Sequence, residues 1–231
     1  MGRKRNQNPK FQDERDNKAQ PIVAKTSGQR IYLKALQNKI LIVPTGSAGT
    51  GKTFIAAAHA ANRLIKGEVE SVVLTRPYVS MGRSSGLFPG TVYEKLEPYL
   101  KPILNVLKAR LGDNDYDSRV RAQRIVIQAM EAIRGMSFEN CVLIIDEAQN
   151  TTPEEMKSIV TRIGENCQVI LCGDPAQTDI KGENGLDFIC NIIRKHSIDE
   201  AQVIEFYPED VVRSGITRKF VQIFDKPRGE R

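Results

Sequence analysis

Residues 46–53 read Gly-Ser-Ala-Gly-Thr-Gly-Lys-Thr, a glycine-rich turn that ends in a lysine and a hydroxyl. Glycines let the backbone double back so that successive N–H groups converge on phosphate oxygens, and a following helix adds the positive end of its dipole. In such a loop Gly46, Ser47, Ala48, Gly49, Thr50 and Gly51 form the cradle. Lys52 brings a full charge to the outer phosphates, and Thr53 offers its hydroxyl to Mg²⁺. The flanks are those the chemistry requires, with the apolar run ILIV (40–43) before the loop and FIAAAHAANRLIK (54–66) after it.

A second constellation is CVLIIDEAQN (141–150), where an apolar run ends in two adjacent carboxylates, Asp146 and Glu147. Carboxylates at the end of a buried strand are costly without a partner. Bound Mg²⁺ is that partner for Asp146, and Glu147 is placed to polarise a water for in-line attack on a terminal phosphate. A third run, QVILC (168–172), leads into GDPAQTD and brings Asp174 and Gln177 to the same region. The amide of Gln177 can bond a phosphate oxygen and a protein group together, which suits a γ-phosphate sensor, although GDPAQ alone also reads as a turn. A fourth run, SVVLT (71–75), is followed by Arg76-Pro77-Tyr78. A guanidinium and a ring there suit phosphate clamping and base stacking, or else an ion pair and a packed aromatic. Gln29, before the first run, carries an amide that could read an adenine edge. His59 and His196 each lack a second His or Cys at ligand spacing, so neither is assigned a role.

These groups must be positioned by the elements that carry them. The runs at 40–43, 71–75, 141–145, 168–172 and 202–206 are apolar throughout, so both faces are covered, and the gaps between them are long enough for crossover helices. The expectation is an α/β fold with a parallel sheet of about five strands, whose C-terminal edge holds the ligand. Thr152-Pro153-Glu154-Glu155 marks a capped helix start, and Thr91 with Glu94 repeats the pattern. A helical insertion is expected around residues 79–140. It consists of a loop, a helix through Tyr93, Leu96, Leu100, Ile103, Leu104 and Leu107, a polar turn LGDNDYDS, and a second helix over Val120–Ile133.

The 231 residues, 40% hydrophobic, can bury a core, which excludes disordered, collagenous and mini-protein classes. Residues 1–20 carry six basic and three acidic groups and read as a flexible basic arm; residues 21–216 form the domain, and the basic stretch 217–231 reads as a frayed tail. A formal charge of +6 suits a polyanionic partner. Cys141, Cys167, Cys172 and Cys190 form no C-x-x-C, and no signal peptide is legible, which points to reduced core thiols and a cytoplasmic setting. No apolar run approaches the roughly 18–20 residues of a membrane span.

The order GSAGTGKT, TRP, GLFPG, DEAQN, TPEEMK, TRIG and GDPAQTD resembles the PhoH-like family, single-domain relatives of superfamily 1 helicases, from about Gln29 to Arg213. The resemblance implies a RecA-like P-loop NTPase core in which one strand separates the phosphate-loop strand from the Asp146 strand. It implies ATP and Mg²⁺ as cofactors, the 46–53 loop with Asp146 as their site, Lys52 and Glu147 as catalytic groups, Gln177 as sensor and Gln29 as adenine reader. The family's late basic element matches EDVVRSG, which nominates Arg213 as an arginine finger, with Arg162 of TRIG a weaker choice. Some members are linked to RNA unwinding and cleavage. This chain has GDPAQ where GDxTQ-like wording is more usual, losing a hydroxyl at Ala176, and shows no PIN-type nuclease or KH-type RNA module.

A two-lobed helicase brackets ATP between two such domains. One lobe alone implies that an identical neighbour supplies the other half, in a ring such as a homo-hexamer with Arg213 or Arg76 reaching across. Single-stranded RNA, or DNA in its place, would lie on the basic surface, with Arg76, Tyr78 and Phe88 as candidate contacts. A nucleotide-gated assembly ATPase without strand translocation and a small-molecule kinase are the alternatives.

Overall fold

The computed structural model describes residues 20–77, 92–213 and 215–224. Tyr78, Phe88, Thr91, the GLFPG stretch, residues 1–19 of the expected arm and residues 225–231 lie outside them. One sheet runs through the described residues, built from β1 (Leu41–Gly46), β2 (Ser71–Thr75), β3 (Ile125–Ile127), β4 (Cys141–Ile145), β5 (Gln168–Leu171) and β6 (Ala201–Phe206). Its order is β3-β2-β4-β5-β1-β6, and every neighbouring pair is parallel. The phosphate-loop strand β1 is thus separated from β4 by β5 alone, as the family resemblance implies.

The helices are α1 (Ser27–Asn38), α2 (Lys52–Ile65), α3 (Val92–Leu111), α4 (Asp113–Arg121), α5 (Met130–Ile133), α6 (Pro153–Val160), α7 (Gly185–His196) and α8 (Gly215–Phe224). Alternate residues of each strand enter opposite cores, which is why the strand sequences are apolar throughout. Ile42, Leu74, Ile144 and Ile170 pack with Tyr32, Leu64 and Leu100 of α1, α2 and α3. Val43, Leu143, Ile145 and Val169 pack with Met156 and Ile159 of α6 and Ile189 of α7. In α2, Ala56, Ala57, Ala60 and Ala61 are fully buried, so this helix lies close to the sheet. The Thr152 cap is a complete capping box: its hydroxyl accepts from Glu155 N at 3.2 Å, and Thr152 N donates to the Glu155 carboxylate at 2.9 Å.

Two stretches of the insertion differ from the sequence expectation. Residues Asp113–Arg121, read as a polar turn leading into a helix, form α4, which has Asp113 and Asp115 in its first turn and Arg119 and Arg121 in its last. Those charges complement the helix dipole, and Arg119 Nε bonds the Asp115 carboxylate one turn back at 2.9 Å. The helix expected over Val120–Ile133 is broken at Gln123, whose φ is 54°, and Ile125-Val126-Ile127 form β3 at the sheet edge. Three successive β-branched residues favour a strand over a helix there. The expected frayed tail is helical as far as Phe224, with Ile216, Phe220 and Ile223 spaced i, i+4, i+7 along α8. All four cysteines are free and buried. No helix among the described residues is long and apolar enough to cross a membrane.

Candidate nucleotide site

The loop after β1 can turn only because of its glycines. Gly46 has φ +115°, and a Cβ there would stand 2.2 Å from the Phe206 carbonyl oxygen on the adjacent β6. Gly51, at φ 91°, precedes α2, so Lys52 and Thr53 open the helix at the edge where the parallel strands end. The Lys52 ammonium curls over the loop and donates to the carbonyl of Gly46 at 2.5 Å and of Ser47 at 2.8 Å. Burial lowers its pKa, opposed by the nearby carboxylates of Asp174, Glu147 and Asp146.

β4 delivers Asp146 and Glu147 directly beside this loop. Thr53 Oγ1 donates to Asp146 Oδ1 at 2.9 Å across 93 positions of sequence. A hydroxyl and a carboxylate so close present the hard oxygen donors that Mg²⁺ takes, so the residues fit that ion. Burial raises the Asp146 pKa, against the Thr53 hydrogen bond. Glu147 adopts a left-handed backbone, φ 52° and ψ 42°, a conformation a Glu holds only under constraint.

Backbone hydrogen bonds hold the turn on either side, Asp146 N to the Thr75 carbonyl at 3.0 Å and Ala148 N to the Cys172 carbonyl at 2.9 Å, while the Glu147 carboxylate is held by Gln149, buried at 1% exposure. Its amide nitrogen donates to Glu147 Oε2 at 2.5 Å and to the Gln177 carbonyl at 3.4 Å, and its amide oxygen accepts from Asp174 N at 3.1 Å. The side chain therefore joins the ends of β4 and β5. It fits because position 173 is glycine, where a Cβ would lie 2.7 Å from Gln149 Oε1. Gln177 itself is exposed, with its amide nitrogen 2.6 Å from Asp174 Oδ2. Sequence reading missed Gln149, because an amide at the end of the DEAQ run reads equally as a solvated turn residue.

Arg76, expected to touch nucleic acid or reach a neighbour, faces its own site. Its guanidinium lies 3.7 Å from Asp146 Oδ2 and 3.8 Å from Glu147 Oε1, and 5.5 Å from the ring centroid of Tyr99 on α3. Arg213 also lies in its own site: its side chain packs on Gly49, where a Cβ would meet Nε at 2.9 Å, and Val212 N donates to the Gly49 carbonyl at 3.0 Å. Buried Asp210 anchors this segment by accepting from Gly28 N at the start of α1 and from Tyr207 N, both at 3.1 Å. Arg162 follows α6 at the opposite edge of the sheet, where its carbonyl accepts from Phe138 N, so it cannot reach the phosphate loop of its own chain. Gln29 sits under the loop with both ends of its amide engaged, Oε1 by Lys25 N at 2.8 Å and Nε2 by the Thr50 carbonyl at 2.9 Å. Reading an adenine would require those contacts to be exchanged.

A parallel sheet that ends in a glycine loop, a lysine, a hydroxyl–carboxylate pair and an adjacent glutamate defines a P-loop NTPase domain, built to bind a nucleotide by its phosphates. The PhoH-like protein family matches residues 21–225, and the chain belongs to it. Protein PhoH of Escherichia coli (strain K12) is 38% identical over 215 residues, which cover 92% of this chain and 60% of that protein. A PhoH-like protein of Bacillus subtilis (strain 168) is 37% identical over 211 residues, covering 90% of this chain and 66% of the relative. The chain thus spans about two thirds or less of these relatives' length. The crystal structure of Pif1 helicase from Candida albicans overlaps 82% of this chain and 42% of its own, at 16% identity and a TM-score of 0.40.

Proposed function

We propose that this domain hydrolyses ATP and that single-stranded RNA stimulates the reaction. The observation that carries hydrolysis beyond mere binding is the placing of Glu147, adjacent to the Thr53–Asp146 pair and fixed by Gln149. Loop amides and Lys52 hold the phosphates. Bound Mg²⁺, for which Thr53 and Asp146 are the protein's donors, supplies charge neutralisation at the outer phosphates. Glu147 orients a water in line with the γ-phosphate and takes its proton, giving ADP and inorganic phosphate. Gln177, tied to Asp174, stands where its amide can report the γ-phosphate, and Arg213, lying on Gly49, supplies positive charge beside the loop from within the same chain.

Polyanion binding is supported by the basic terminal stretches, residues 1–20 and 217–231, which carry the whole of the +6 charge, and by the half-exposed ring of Tyr99 beside Arg76. The family resemblance favours RNA. A ring of identical subunits is a second reading, favoured by α8, whose Ile216, Phe220 and Ile223 are 69%, 52% and 46% exposed and offer a stripe that a neighbour would cover.

Phosphate release by the wild type and by Glu147→Gln, each with and without poly-RNA, tests the proposal. The expected outcome is turnover that rises with RNA and fades with salt, and a variant that binds Mg·ATP without releasing phosphate. A wild type that binds ATP yet releases no phosphate under any condition refutes hydrolysis, and indifference to every polymer refutes the RNA role. Sedimentation of the same samples with an ATP analogue separates a ring from a monomer.

A further inference from the structure

The edge of the sheet opposite the phosphate loop holds a pair of thiols that nucleotide chemistry does not use. β4 and β5 are both entered through the tripeptide Glu-Asn-Cys, at 139–141 and 165–167. The two tripeptides lie side by side. Asn140 N donates to the Glu165 carbonyl at 3.0 Å, and Asn166 Nδ2 donates to Asn140 Oδ1 at 3.1 Å. Asn140 and Asn166 both take a left-handed backbone, φ 49° and φ 50°, so each chain turns sharply just before its cysteine. The parallel register Val142↔Gln168 then sets Cys141 directly opposite Cys167, and their sulfurs are 3.7 Å apart.

We propose that Cys141 and Cys167 are a disulfide-forming pair, oxidised by a low-molecular-weight disulfide and reopened by the corresponding thiol. Backbones of neighbouring strands run about 4.8 Å apart, inside the span of roughly 4.4–6.8 Å that a disulfide bridges between Cα atoms, so side-chain rotation alone can close the sulfurs to about 2.05 Å. A metal ion is a poorer occupant. Two thiols make half of a tetrahedral site, and no group of three or more His, Cys, Asp or Glu suited to a metal occurs among the described residues. Contact with the Cys167 S–H lowers the Cys141 pKa, and the Arg63 guanidinium acts in the same direction. Cys167 lies in the wall of an open polar cleft of about 830 Å³, between the C-terminal ends of α1 and α2, which gives a small oxidant an approach to this edge.

The chemistry balances as two exchanges. One protein thiolate attacks the small disulfide, forming a mixed disulfide and releasing one thiolate. The second protein thiolate then attacks the protein sulfur of that mixed bond and expels the other. Two protein thiols lose two electrons and two protons, and the small disulfide becomes two thiols. The new bond ties the entry points of the strands that deliver Asp146 and Asp174, five and seven residues before those carboxylates and so about 16 Å or more away along the strand, so it braces the sheet without entering the site.

The native wild-type protein, incubated with oxidised glutathione at mildly alkaline pH, provides the test. The expected product is lighter by two hydrogens. Its digest contains a cross-linked peptide in which fragment sequencing places the bond between Cys141 and Cys167, and dithiothreitol restores the original mass. Cys190, whose thiol is pushed up to about 12 by burial, stays free as an internal control. Retention of four free thiols, a lasting glutathione adduct, or a bond to Cys172 or Cys190 overturns the proposal. Cys141→Ser abolishes the two-hydrogen loss, and the wild-type result stands independently should that variant fold poorly.

Discussion

Replacing Gln149 by Ala separates the positioning of Glu147, the proposed catalytic base, from the binding of nucleotide. The substitution removes the amide that holds Glu147 Oε2 at 2.5 Å and leaves the Asp174 N–H without its acceptor at 3.1 Å. A hydrogen bond to a charged group is worth about 1.5–3 kcal/mol, and an orphaned buried donor costs about 1–3 kcal/mol. The left-handed backbone of Glu147 stays held by the flanking main-chain bonds of Asp146 N and Ala148 N, so loss of the amide frees the side chain to leave its rotamer and displaces the carboxylate. A displacement near 1 Å lowers turnover about 100-fold. Lys52 bonds the carbonyls of Gly46 and Ser47, and Thr53 bonds Asp146, so affinity for Mg·ATP stays near that of the wild type. Single-turnover phosphate release and calorimetric binding measure the two effects separately. Gln149→Glu is expected to be at least as impaired, because it sets a second carboxylate beside Glu147 and cannot donate. Wild-type turnover in a folded Gln149→Ala protein would refute the view that this amide holds the base.

Two further perturbations probe the same framework. In Gly173→Ala the added methyl meets Leu186 Cδ2 at 2.6 Å and Gln149 Oε1 at 2.7 Å. Crowding of this kind costs about 1–3 kcal/mol, so urea unfolding should shift by that amount and turnover should fall with it; an unchanged midpoint and rate would show that the contact yields freely. His59 probes the opposite edge, where its Nε2 is 2.7 Å from Gln168 Oε1 and burial lowers its pKa from 6.5 to about 4. A lowered folded-state pKa favours the neutral ring, so its contribution is complete above pH 6.5 and is lost as the pH falls from 6.5 to about 4. The loss amounts to at most about 3 kcal/mol. His59→Gln should flatten the stability profile in that window, and parallel profiles for the two proteins would contradict the assignment.

Where information is local, the sequence was legible. The phosphate loop, the Asp146–Glu147 strand end and the Thr152 capping box each occupy fewer than a dozen consecutive residues, and spacing alone encodes their geometry. Long apolar strands were equally plain because both faces of the sheet are buried. β3 was not, since three residues carry too little periodicity to distinguish a strand from part of a helix, and α4 was hidden because its stability comes from charge placement on a polar sequence. The braces of the site were illegible for another reason. Gln149 meets Asp174 across 25 positions and Asp210 meets Gly28 across 182, and neither pairing leaves a mark on nearby sequence. Arg76 and Arg213 were recognised as functional candidates, but which chain's site they serve depends on how β2 and the segment after β6 end, which only the fold decides.

Charge at the nucleotide edge gives Arg76 a particular part. Among the described residues, Asp174, Glu147 and Asp146 act on Lys52 there, and Arg76 lies beside Asp146 and Glu147. Arg76 contacts its carboxylates at 3.7 and 3.8 Å, longer than a close charge-assisted hydrogen bond of about 2.7–2.9 Å, so each pairing is weak and easily exchanged. In the proposed reaction the two carboxylates it spans hold the metal and the attacking water. Their release in that reaction requires the guanidinium to turn away, and the γ-phosphate of the proposed substrate is an anion it would meet. Tyr99 on α3 covers one face of the guanidinium, which bears on that turn. In the proposed reaction a displacement of α3 would reach the two carboxylates through Arg76.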